Sequence, residues 1–594
     1  MSDSVITPAQ AKTLHGLFCE RVAKTPEDVA YRFYDALNGT WSESSWSNMA
    51  RVVKRWQAAL AREKLQPGDC VAIMARNSRF WVAFDQAVLG LGLVVVPLYT
   101  EDRVDNVIYV LNDSKVKLLV IGGQGQWDRL QKKSNELTSV RRIVSIADLP
   151  EINDKRLRLL SDWLPGDFTP QALPNVEPDS LATIVYTSGT TGAPKGVMLS
   201  HWNILSNAYS GLQTVPITTG NVFLSFLPLS HMLERTIGYY LPMMAGATVA
   251  HNRSIPQLGK DLQVIKPTAL ISVPRIFERV YSRVKDNLAG SSVLKRLLFK
   301  FTVYVGWHRF EFFQGRAVWH PCLVFWPILK KLVADKVTQR LGGNLRIAIS
   351  GGAALPPEIS RVFIALGIPI LQGYGLTEAS PVVSVNRLDR NIPASIGIPL
   401  PGVEVKLNKD NELLVRGDNV MLGFLNNQAA TAAVIDNEGW LHTGDTARLE
   451  GEYLYITGRI KDIIVLSNGE KVSPGDMEMA IAGDSLFEQV MIIGEGRPFL
   501  TAIAVLNSVQ WQQLAEADDL GEDEWKQLTG KKKILERISG LLHEFPGYAQ
   551  VVHILCVDEP WTVENGLLTP TLKVKRKQVM ERYQAEIEQM YEGH

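Results

Sequence analysis

The chain has 594 residues, which is too long for one hydrophobic core, so two or more domains are expected. Apolar residues make up 46% of the chain and charged residues 21%, as in an ordinary soluble globular protein. Lysine plus arginine and aspartate plus glutamate both number 62. This balance excludes a strongly basic nucleic-acid binder and a chain with a large acidic excess.

Cysteine usage indicates a cytoplasmic protein. Cys19, Cys70, Cys322 and Cys556 are scattered without a CxxC spacing, so reduced thiols are expected. The first residues lack a basic region followed by an apolar stretch, so we expect no secretory signal. No apolar run reaches the ~18 residues that a membrane-spanning helix needs.

The N-terminal third alternates between strands and helices. Residues 28–42 predict a hairpin that turns at Asn38-Gly39, and an amphipathic helix follows from about Ser45. Further strands are predicted at 71–74, 94–98 and 118–121, and further helices at 79–91 and 103–112. This alternation predicts a largely parallel, doubly wound α/β sheet. Polar, proline-rich residues 150–178 predict a surface connection.

The stretch from Tyr186 to Gly196 reads Tyr-Thr-Ser-Gly-Thr-Thr-Gly-Ala-Pro-Lys-Gly between two apolar runs. A strand, a tight loop and a second strand are therefore expected. Glycines let the backbone approach a ligand, and hydroxyls, amides and Lys195 offer donors to a polyphosphate. A plain glycine-rich hairpin turn is the alternative. The loop is not a Walker A motif, because Ala193-Pro194 separates its last glycine from the lysine.

Two later segments of the N-terminal part carry less decisive patterns. Residues 222–231 predict a buried strand with a polar end that closes at His231. The role of His231 is either structural or in a pocket. Residues 286–341 combine a helical apolar face with lysines, arginines and tryptophans. A helical pair packed on its own domain is one interpretation, and a helix lying in a membrane interface is the other. An apolar wall for a long alkyl chain would also suit this insertion.

Glycine-rich loops then follow two predicted strands. Residues 345–349 end in Ser350-Gly351-Gly352-Ala353, and residues 369–372 end in Gly373-Tyr374-Gly375-Leu376-Thr377-Glu378. Such loops fit ligand binding at the carboxyl edge of a parallel sheet. The two glycines leave a slot for an adenine ring on which Tyr374 stacks, and the Glu378 carboxylate suits Mg²⁺.

From about residue 395 the texture changes to short β segments, which predict a small β subdomain. This region contains Thr443-Gly444-Asp445 and Gly458-Arg459-Ile460-Lys461-Asp462. A small α/β region follows, with Leu568-Thr569-Pro570-Thr571-Leu572-Lys573 near its end.

These motifs, together with Ser188-Gly189-Thr190-Thr191-Gly192-Ala193-Pro194-Lys195-Gly196, resemble the adenylate-forming superfamily. That superfamily includes acyl-CoA synthetases, firefly luciferase and the adenylation domains of peptide synthetases. The resemblance extends from about residue 13 to 580. It implies an α/β fold with a large N-terminal domain (1–460) of doubly wound sheets, a β subdomain at about 395–460, and a small mobile C-terminal α/β lid domain (461–594).

The resemblance also implies a role for each motif residue. ATP or AMP would contact Thr187, Ser188, Gly189, Thr190, Thr191, Gly192, Lys195, Gly351, Gly352, Ala353, Gln372, Gly373, Tyr374, Gly375, Thr377, Asp445 and Arg459. Within this set, Asp445 would bind the ribose hydroxyls with support from Arg459. Lys573, Glu378 and Thr187 would be catalytic, with Mg²⁺ on Glu378 and Thr187. His231 would lie beside the acyl substrate, and Lys461 would be the hinge of the lid.

Within the superfamily the chain looks most like a long-chain fatty acid–CoA ligase, which uses a fatty acid, ATP and coenzyme A. The loop before Lys573 resembles the long-chain version, because the acetate-using version has Ser-Gly before the lysine. One alternative transfers the acyl group to a carrier protein's phosphopantetheine or stops at acyl-AMP. Another is a non-catalytic nucleotide-binding protein, which would lack Lys573 or Glu378. Chain-length preference and oligomeric state stay open, a homodimer included.

Overall fold

The fold was taken from a computed structural model. The structure describes residues 4–187, 194–517, 527–543, 545–569 and 572–592. Two large sheets form most of the chain, and smaller sheets follow toward its C-terminus. All four cysteines are free thiols, as predicted. No helix within the described ranges is long and apolar enough to cross a membrane.

The strands are short, and those inside the large sheets are mostly buried apolar runs, as parallel sheets covered on both faces require. In chain order they are β1 (Val29–Asp35), β2 (Thr40–Ser45), β3 (Cys70–Met74), β4 (Val94–Pro97), β5 (Leu118–Ile121), β6 (Arg142–Ser145), β7 (Leu157–Leu159), β8 (Leu181–Thr187), β9 (Lys195–Ser200), β10 (Val222–Ser225), β11 (Thr248–His251), β12 (Ala269–Ser272), β13 (Ile347–Ser350), β14 (Ile370–Gly375), β15 (Val382–Val385), β16 (Ile398–Pro399), β17 (Val403–Leu407), β18 (Glu412–Gly417), β19 (Gly423–Phe424), β20 (Leu441–Glu450), β21 (Tyr453–Arg459), β22 (Ile464–Val465), β23 (Lys471–Val472), β24 (Phe487–Ile493), β25 (Leu500–Leu506) and β26 (Val551–Val557).

The helices connect these strands and several begin at a serine or threonine cap. Ser45, Ser78 and Ser200 each accept a backbone N–H of the first helical turn through the side chain. In chain order the helices are α1 (Pro8–Ala11), α2 (Leu14–Lys24), α3 (Trp46–Arg62), α4 (Arg79–Gly90), α5 (Val104–Asp113), α6 (Gln124–Leu130), α7 (Leu160–Trp163), α8 (His201–Thr214), α9 (Leu241–Ala245), α10 (Leu258–Ile265), α11 (Pro274–Ala289), α12 (Val293–Phe313), α13 (Trp326–Leu329), α14 (Asp335–Thr338), α15 (Pro357–Ala365), α16 (Gln428–Ala432), α17 (Pro474–Ala482), α18 (Ser508–Ala517), α19 (Leu528–Leu541), α20 (Arg576–Arg582) and α21 (Gln584–Tyr591).

The eight-stranded sheet has the order β19-β9-β8-β4-β3-β5-β6-β7, and β8, β4, β3, β5, β6 and β7 run parallel. Side chains of β3 alternate between two cores. Val71 and Ile73 pack with α3 and α4, while Ala72 and Met74 pack with α5 and α6. Helices therefore cover both faces, and the predicted doubly wound α/β sheet is confirmed.

The nine-stranded sheet has the order β16-β15-β14-β13-β12-β10-β11-β1-β2, with the six strands from β14 to β1 parallel. A four-stranded antiparallel sheet of β17, β18, β20 and β21 follows it in the chain. Strands β24, β25 and β26 form a separate three-stranded sheet with cores of its own.

A buried ion pair joins α4 to the segment after β10. The Arg235 guanidinium lies 2.5 Å from an Asp85 carboxylate oxygen, and both side chains are fully buried. Asp85 also accepts hydrogen bonds from the hydroxyls of Tyr239 and Tyr240. Arg235 donates to the Thr183 hydroxyl in β8 at 2.8 Å, so one network spans elements of both large sheets.

The predicted surface connection at 150–178 is wrong for part of its length. Strand β7 forms the edge of the eight-stranded sheet, and α7 places Trp163 against Trp56 with ring centres 5.5 Å apart. The Trp163 indole N–H donates to Glu63 at 2.8 Å. Four buried side chains among polar residues, at 157, 160, 163 and 165, are too few to produce a periodic pattern, so the polar composition on either side dominated the prediction.

We expect Asp85→Ala to lower the free energy of unfolding by about 3–5 kcal/mol, because it leaves the Arg235 charge buried and unpaired. Urea unfolding curves measure this change. The matched control is Glu43→Ala, which removes the partner of Arg32 in an exposed pair and should cost less than about 1 kcal/mol. Equal losses in the two variants would contradict a structural role for the buried pair.

Candidate active site

A cleft of about 1080 Å³ lies where the end of β8, the start of β20 and the segments after β13, β14 and β21 come together. Its lining includes Thr187, Lys195, Glu378, Lys461 and Lys573. Motifs from both large sheets, the four-stranded sheet and the C-terminal region therefore share one cavity. The carboxyl edges of parallel strands are the common place for ligands in α/β folds.

The predicted strand–loop–strand unit around residue 190 has its two strands. Strands β8 and β9 pair antiparallel, with Thr187 opposite Lys195. The Lys195 ammonium lies 5.0 Å from the centre of the Phe424 ring. Ser188, Gly189, Thr190, Thr191 and Gly192 lie outside the described residues, so their predicted contacts with ATP stay predictions.

The two glycine-rich loops line the middle of the cleft. Gly352 has φ +82°, a conformation that favours glycine. A Cβ at Gly375 would lie 1.9 Å from the Pro381 carbonyl oxygen, so only glycine fits there. Three further residues predicted to contact the nucleotide line the same region: Gly351, Gly373 and Thr377.

Three residues predicted to contact the nucleotide stand apart from the lining. Gln372 is buried, and its side-chain oxygen accepts the Leu355 N–H at 2.9 Å, which supports the turn after β13. Ala353 is not among the residues that line the cleft, and neither is Asp445, which is buried beside Arg459.

The Asp445 carboxylate connects three of the motifs. One oxygen accepts from the Tyr374 hydroxyl at 2.5 Å, and the other accepts from the Arg459 Nε at 2.7 Å. Strand pairing sets this arrangement, because Asp445 in β20 lies directly opposite Arg459 in β21. A carboxylate has about four lone-pair sites, so Asp445 retains capacity for the hydroxyls of a ribose.

Glu378 and Lys573 bring opposite charges to the cleft. Burial raises the pKa of Glu378, while the Arg459 and Lys195 charges act in the other direction. Desolvation is the main cause that lowers the pKa of Lys573, and the nearby Arg459 charge lowers it further. The negative charges of Asp445 and Glu378 oppose this shift. The turn that carries Lys573 is closed by its backbone N–H, which donates to the Thr569 hydroxyl at 3.0 Å.

His231 lies in the segment after β10 and lines the cleft. Its Nδ1 accepts the Leu233 N–H at 3.2 Å, so the ring carries its proton on Nε2. Burial, and next the Lys573 charge, lower the pKa of His231 to about 4. A neutral ring at physiological pH suits an apolar neighbour, and the cleft has an apolar arm beyond it, lined by Gly211, Val215, Leu233, Ile237, Leu241, Val382, Val385 and Leu400.

Two ionisable features of the site escaped the sequence analysis. His442 and Glu412, whose side chains lie 2.9 Å apart, line the cleft beside Gly444. Glu234, three residues after His231, is buried in the π-helical segment Glu234–Tyr240, and one of its oxygens has no hydrogen-bond partner among the described residues. No motif marks these residues, because their burial arises only when distant segments pack together.

The chemistry of the cleft fits a magnesium ion that is shared with phosphates. Among the described residues no group of three or more His, Cys, Asp or Glu forms a metal cluster. Mg²⁺ at phosphate sites usually takes only one or two protein oxygens and completes its shell with phosphate and water. The Glu378 carboxylate and the Thr187 hydroxyl both line the cleft and supply such oxygens.

Comparisons with known proteins agree with this geometry. A model of the AMP-binding enzyme family matches residues 18–425, and a model of the AMP-binding enzyme C-terminal domain matches residues 461–594. The chain belongs to the AMP-binding enzyme family. The crystal structure of the anthranilate CoA ligase AuaEII with anthranoyl-AMP has a TM-score of 0.74 at 18% identity, covering 97% of this chain and 98% of that one. This likeness confirms the predicted adenylate-forming fold.

Two curated relatives of this AMP-binding enzyme are similar over most of its length. The long-chain-fatty-acid–CoA ligase FadD15 of Mycobacterium bovis is 31% identical over 584 residues, which cover 95% of each chain. The long-chain-fatty-acid–[acyl-carrier-protein] ligase AEE15 of Arabidopsis thaliana is 30% identical over 588 residues, covering 88% of this chain and 79% of that protein.

We expect Glu234→Gln to change how stability depends on pH. Burial raises the pKa of Glu234 to about 8, well above its ordinary value, so the folded state keeps a proton that the unfolded chain releases. Folding stability is therefore lost as pH rises from about 5 to 8, by about 1.4 kcal/mol per pH unit for one such group. Urea unfolding across this range should show that the free energy of unfolding of the variant increases relative to that of the parent protein as pH rises.

The matched control is Glu43→Gln, which changes one partner of an exposed ion pair. Its plot of unfolding free energy against pH should run parallel to that of the parent protein. Parallel curves for Glu234→Gln as well would contradict a protonated Glu234.

Proposed function

We propose that this AMP-binding enzyme is a long-chain fatty acid–CoA ligase. It would convert a fatty acid, ATP and coenzyme A into acyl-CoA, AMP and pyrophosphate. The observation that carries the proposal is one cleft that joins a polar slot, bordered by Tyr374, Glu378, Arg459 and Lys573, to an apolar arm beyond His231. The similarity to FadD15 over nearly the whole chain supports a fatty acid as the substrate.

The first step activates the carboxylate. A fatty acid oxygen attacks the α-phosphorus of ATP, an O–P bond forms, and the bond to the bridging oxygen breaks so that pyrophosphate leaves with its electron pair. This replaces a poor leaving group, oxide, by AMP. Negative charge grows on the phosphate oxygens during the attack, and fixed positive charges stabilise it.

The proposed roles follow from what lines the cleft. Lys195 and Lys573 present ammonium groups to the phosphates, while Tyr374 and Asp445 hold the adenosine. Glu378 and Thr187 would hold Mg²⁺, which when bound supplies further charge stabilisation at the phosphates. The thirteen other predicted nucleotide contacts keep their supporting roles in this proposal, the loop residues at 188–192 among them.

In the second step the thiol sulfur of coenzyme A attacks the acyl carbon, the thiol proton is released, and AMP leaves with the electron pair. We propose that the C-terminal domain, residues 461–594, is a lid that turns at Lys461 between the two steps, and that residues 1–460 form the other domain. Lys461 lies in the 3₁₀ turn Ile460–Asp462 that follows β21 and lines the cleft. Such a turn would withdraw Lys573 and open a path for the thiol, a gating motion.

A carrier protein is the second candidate acceptor. The similarity to AEE15, which is named as an acyl-carrier-protein ligase, supports a carrier protein as this second candidate. Comparing free coenzyme A with a phosphopantetheine-bearing carrier protein as acceptor distinguishes the two. Our proposal expects thioester formation with coenzyme A, in a cytoplasmic enzyme that contacts the inner face of a membrane peripherally.

We expect Lys573→Ala to abolish acyl-AMP formation and to spare thioester formation from supplied acyl-AMP. The reason is that the ammonium would stabilise charge only while the α-phosphate is attacked. Assays of the two half-reactions measure this. Lys577→Ala, at an exposed lysine near Glu581, is the control and should retain both. Equal loss of both half-reactions in Lys573→Ala would overturn the lid assignment.

Glu378→Ala should lower pyrophosphate release by at least two orders of magnitude, as expected for about 3 kcal/mol of lost charge stabilisation. Glu358→Ala, which removes an exposed carboxylate on α15, should leave the rate unchanged. Near-normal turnover in the Glu378 variant would remove this residue from the proposed site.

Pyrophosphate release across acids from acetate to oleate tests the substrate class, and the proposal expects the long acids to be preferred. Leu233, Ile237 and Leu241 line the apolar arm together with Gly211. A Cβ at Gly211 would lie 3.0 Å from the Leu241 Cδ1, so a larger side chain there would fill part of the arm.

We therefore expect Gly211→Leu to depress release with palmitate at least tenfold while sparing octanoate. Gly259→Leu, at a helical glycine with open space around it, is the control and should keep the parent preference. An unchanged ratio of palmitate to octanoate in Gly211→Leu would show that the chain does not occupy this arm.

A further inference from the structure

The exposed apolar side chains of this protein are concentrated in one short segment. Of the 27 large apolar side chains that are exposed among the described residues, 13 lie between residues 293 and 332. They include Leu294 at 76% exposure, Val318 at 87% and Trp319 at 56%. Such a concentration of exposed apolar side chains in one segment marks a candidate interaction surface.

Two helical elements present these side chains on a common surface. On α12, Leu294, Leu297, Phe301 and Tyr304 share the outer face at helical spacing. On the segment from 321 to 334, Val324, Phe325, Ile328 and Leu332 are exposed. The Phe301 and Phe325 rings lie 6.1 Å apart and join the two rows. We call this set of eight residues the apolar patch.

The opposite sides of the same elements are already used for packing. Val305, Cys322 and Leu329 form a small core between them, and Thr302 and Gly306 are buried where α12 meets α15. A helical pair packed on its own domain therefore accounts for the inner face only. The segment also supplies no alkyl-chain wall, since no described residue of 286–341 lines the cleft.

The charge around the apolar patch is mainly positive. Residues 293–334 contain seven lysines and arginines and one acidic residue, Glu311. Glu311 already pairs with Arg316 at 2.9 Å. Lys295, Arg296 and Lys300 on α12 and Lys331 beside α13 are exposed next to the apolar side chains. Basic side chains flanking leucines, phenylalanines and a tryptophan are the composition of helices that lie in the surface of an anionic bilayer.

We propose that the apolar patch docks on a bilayer surface that contains anionic phospholipids. The apolar side chains enter the boundary between headgroups and acyl chains, and the lysines and arginines contact lipid phosphates. A second copy of the chain is disfavoured as the occupant, because it would bring the exposed positive charges of Lys295, Arg296, Lys300 and Lys331 against the same set. Docking does not depend on which acid the enzyme activates. Its failure would contradict the peripheral membrane contact and would leave the proposed ligase reaction untouched.

Flotation of the full-length protein with vesicles tests this docking. We expect the protein to float with vesicles of phosphatidylcholine plus phosphatidylglycerol, and at least tenfold less with phosphatidylcholine alone. An apolar variant (Leu294→Ser, Leu297→Ser, Phe325→Ser, Ile328→Ser) and a charge variant (Lys295→Glu, Arg296→Glu, Lys300→Glu) should each lose at least tenfold in binding.

Matched controls change exposed residues elsewhere: Leu37→Ser with Val264→Ser, and Lys64→Glu with Lys115→Glu and Lys409→Glu. The controls should float as the parent does, and all variants should retain turnover of soluble octanoate. Absence of flotation by the parent protein, or flotation of both patch variants at the parent level, would overturn the proposal. If sedimentation velocity showed the parent protein as a dimer and both patch variants as monomers, the patch would be a contact between copies. That result would also overturn the membrane proposal.

Discussion

The carboxylate of Asp445 is the point on which the geometry of the cleft depends. Its two oxygens accept from Tyr374 in β14 and Arg459 in β21, so the nine-stranded sheet and the four-stranded sheet are fixed to each other at the polar slot. The chain enters the C-terminal region directly after Arg459, at the turn that contains Lys461. The C-terminal region that carries Lys573 is therefore connected to the slot through this short turn.

A second constraint holds the apolar side of the cleft. The buried Asp85–Arg235 pair anchors the segment after His231 to α4 and to β8. Leu233, Ile237 and Leu241 lie on that segment. The buried charge pair therefore fixes the position of the wall of the apolar arm. Breaking such a pair costs more than forming it gains, which makes the arm sensitive to either partner. Glu234, in the same segment, adds a proton that burial keeps in place.

The elements and the motif set of this protein could be predicted from its sequence, because apolar runs and glycine-rich loops are local patterns. The hairpin at Asn38-Gly39, helix α3 and the alternating strands of the eight-stranded sheet follow from such patterns. The pairing of Asp445 with Tyr374 does not, since it depends on how two sheets pack. The sequence analysis missed Glu234, Glu412 and His442 for the same reason. It missed Trp163 because the few buried side chains of 150–178 leave no period. Both faces of α12 are apolar. The sequence therefore does not show which face is buried and which is exposed.

The central claim is that a fatty acid oxygen bonds to the α-phosphorus of ATP. Acyl transfer to coenzyme A then leaves that oxygen on AMP. Incubating the enzyme with ATP, coenzyme A and a fatty acid labelled with ¹⁸O in its carboxyl group, followed by mass spectrometry of the products, tests this directly. The account predicts one ¹⁸O atom in AMP and none in pyrophosphate, whereas label in inorganic phosphate or unlabelled AMP beside acyl-CoA would contradict it.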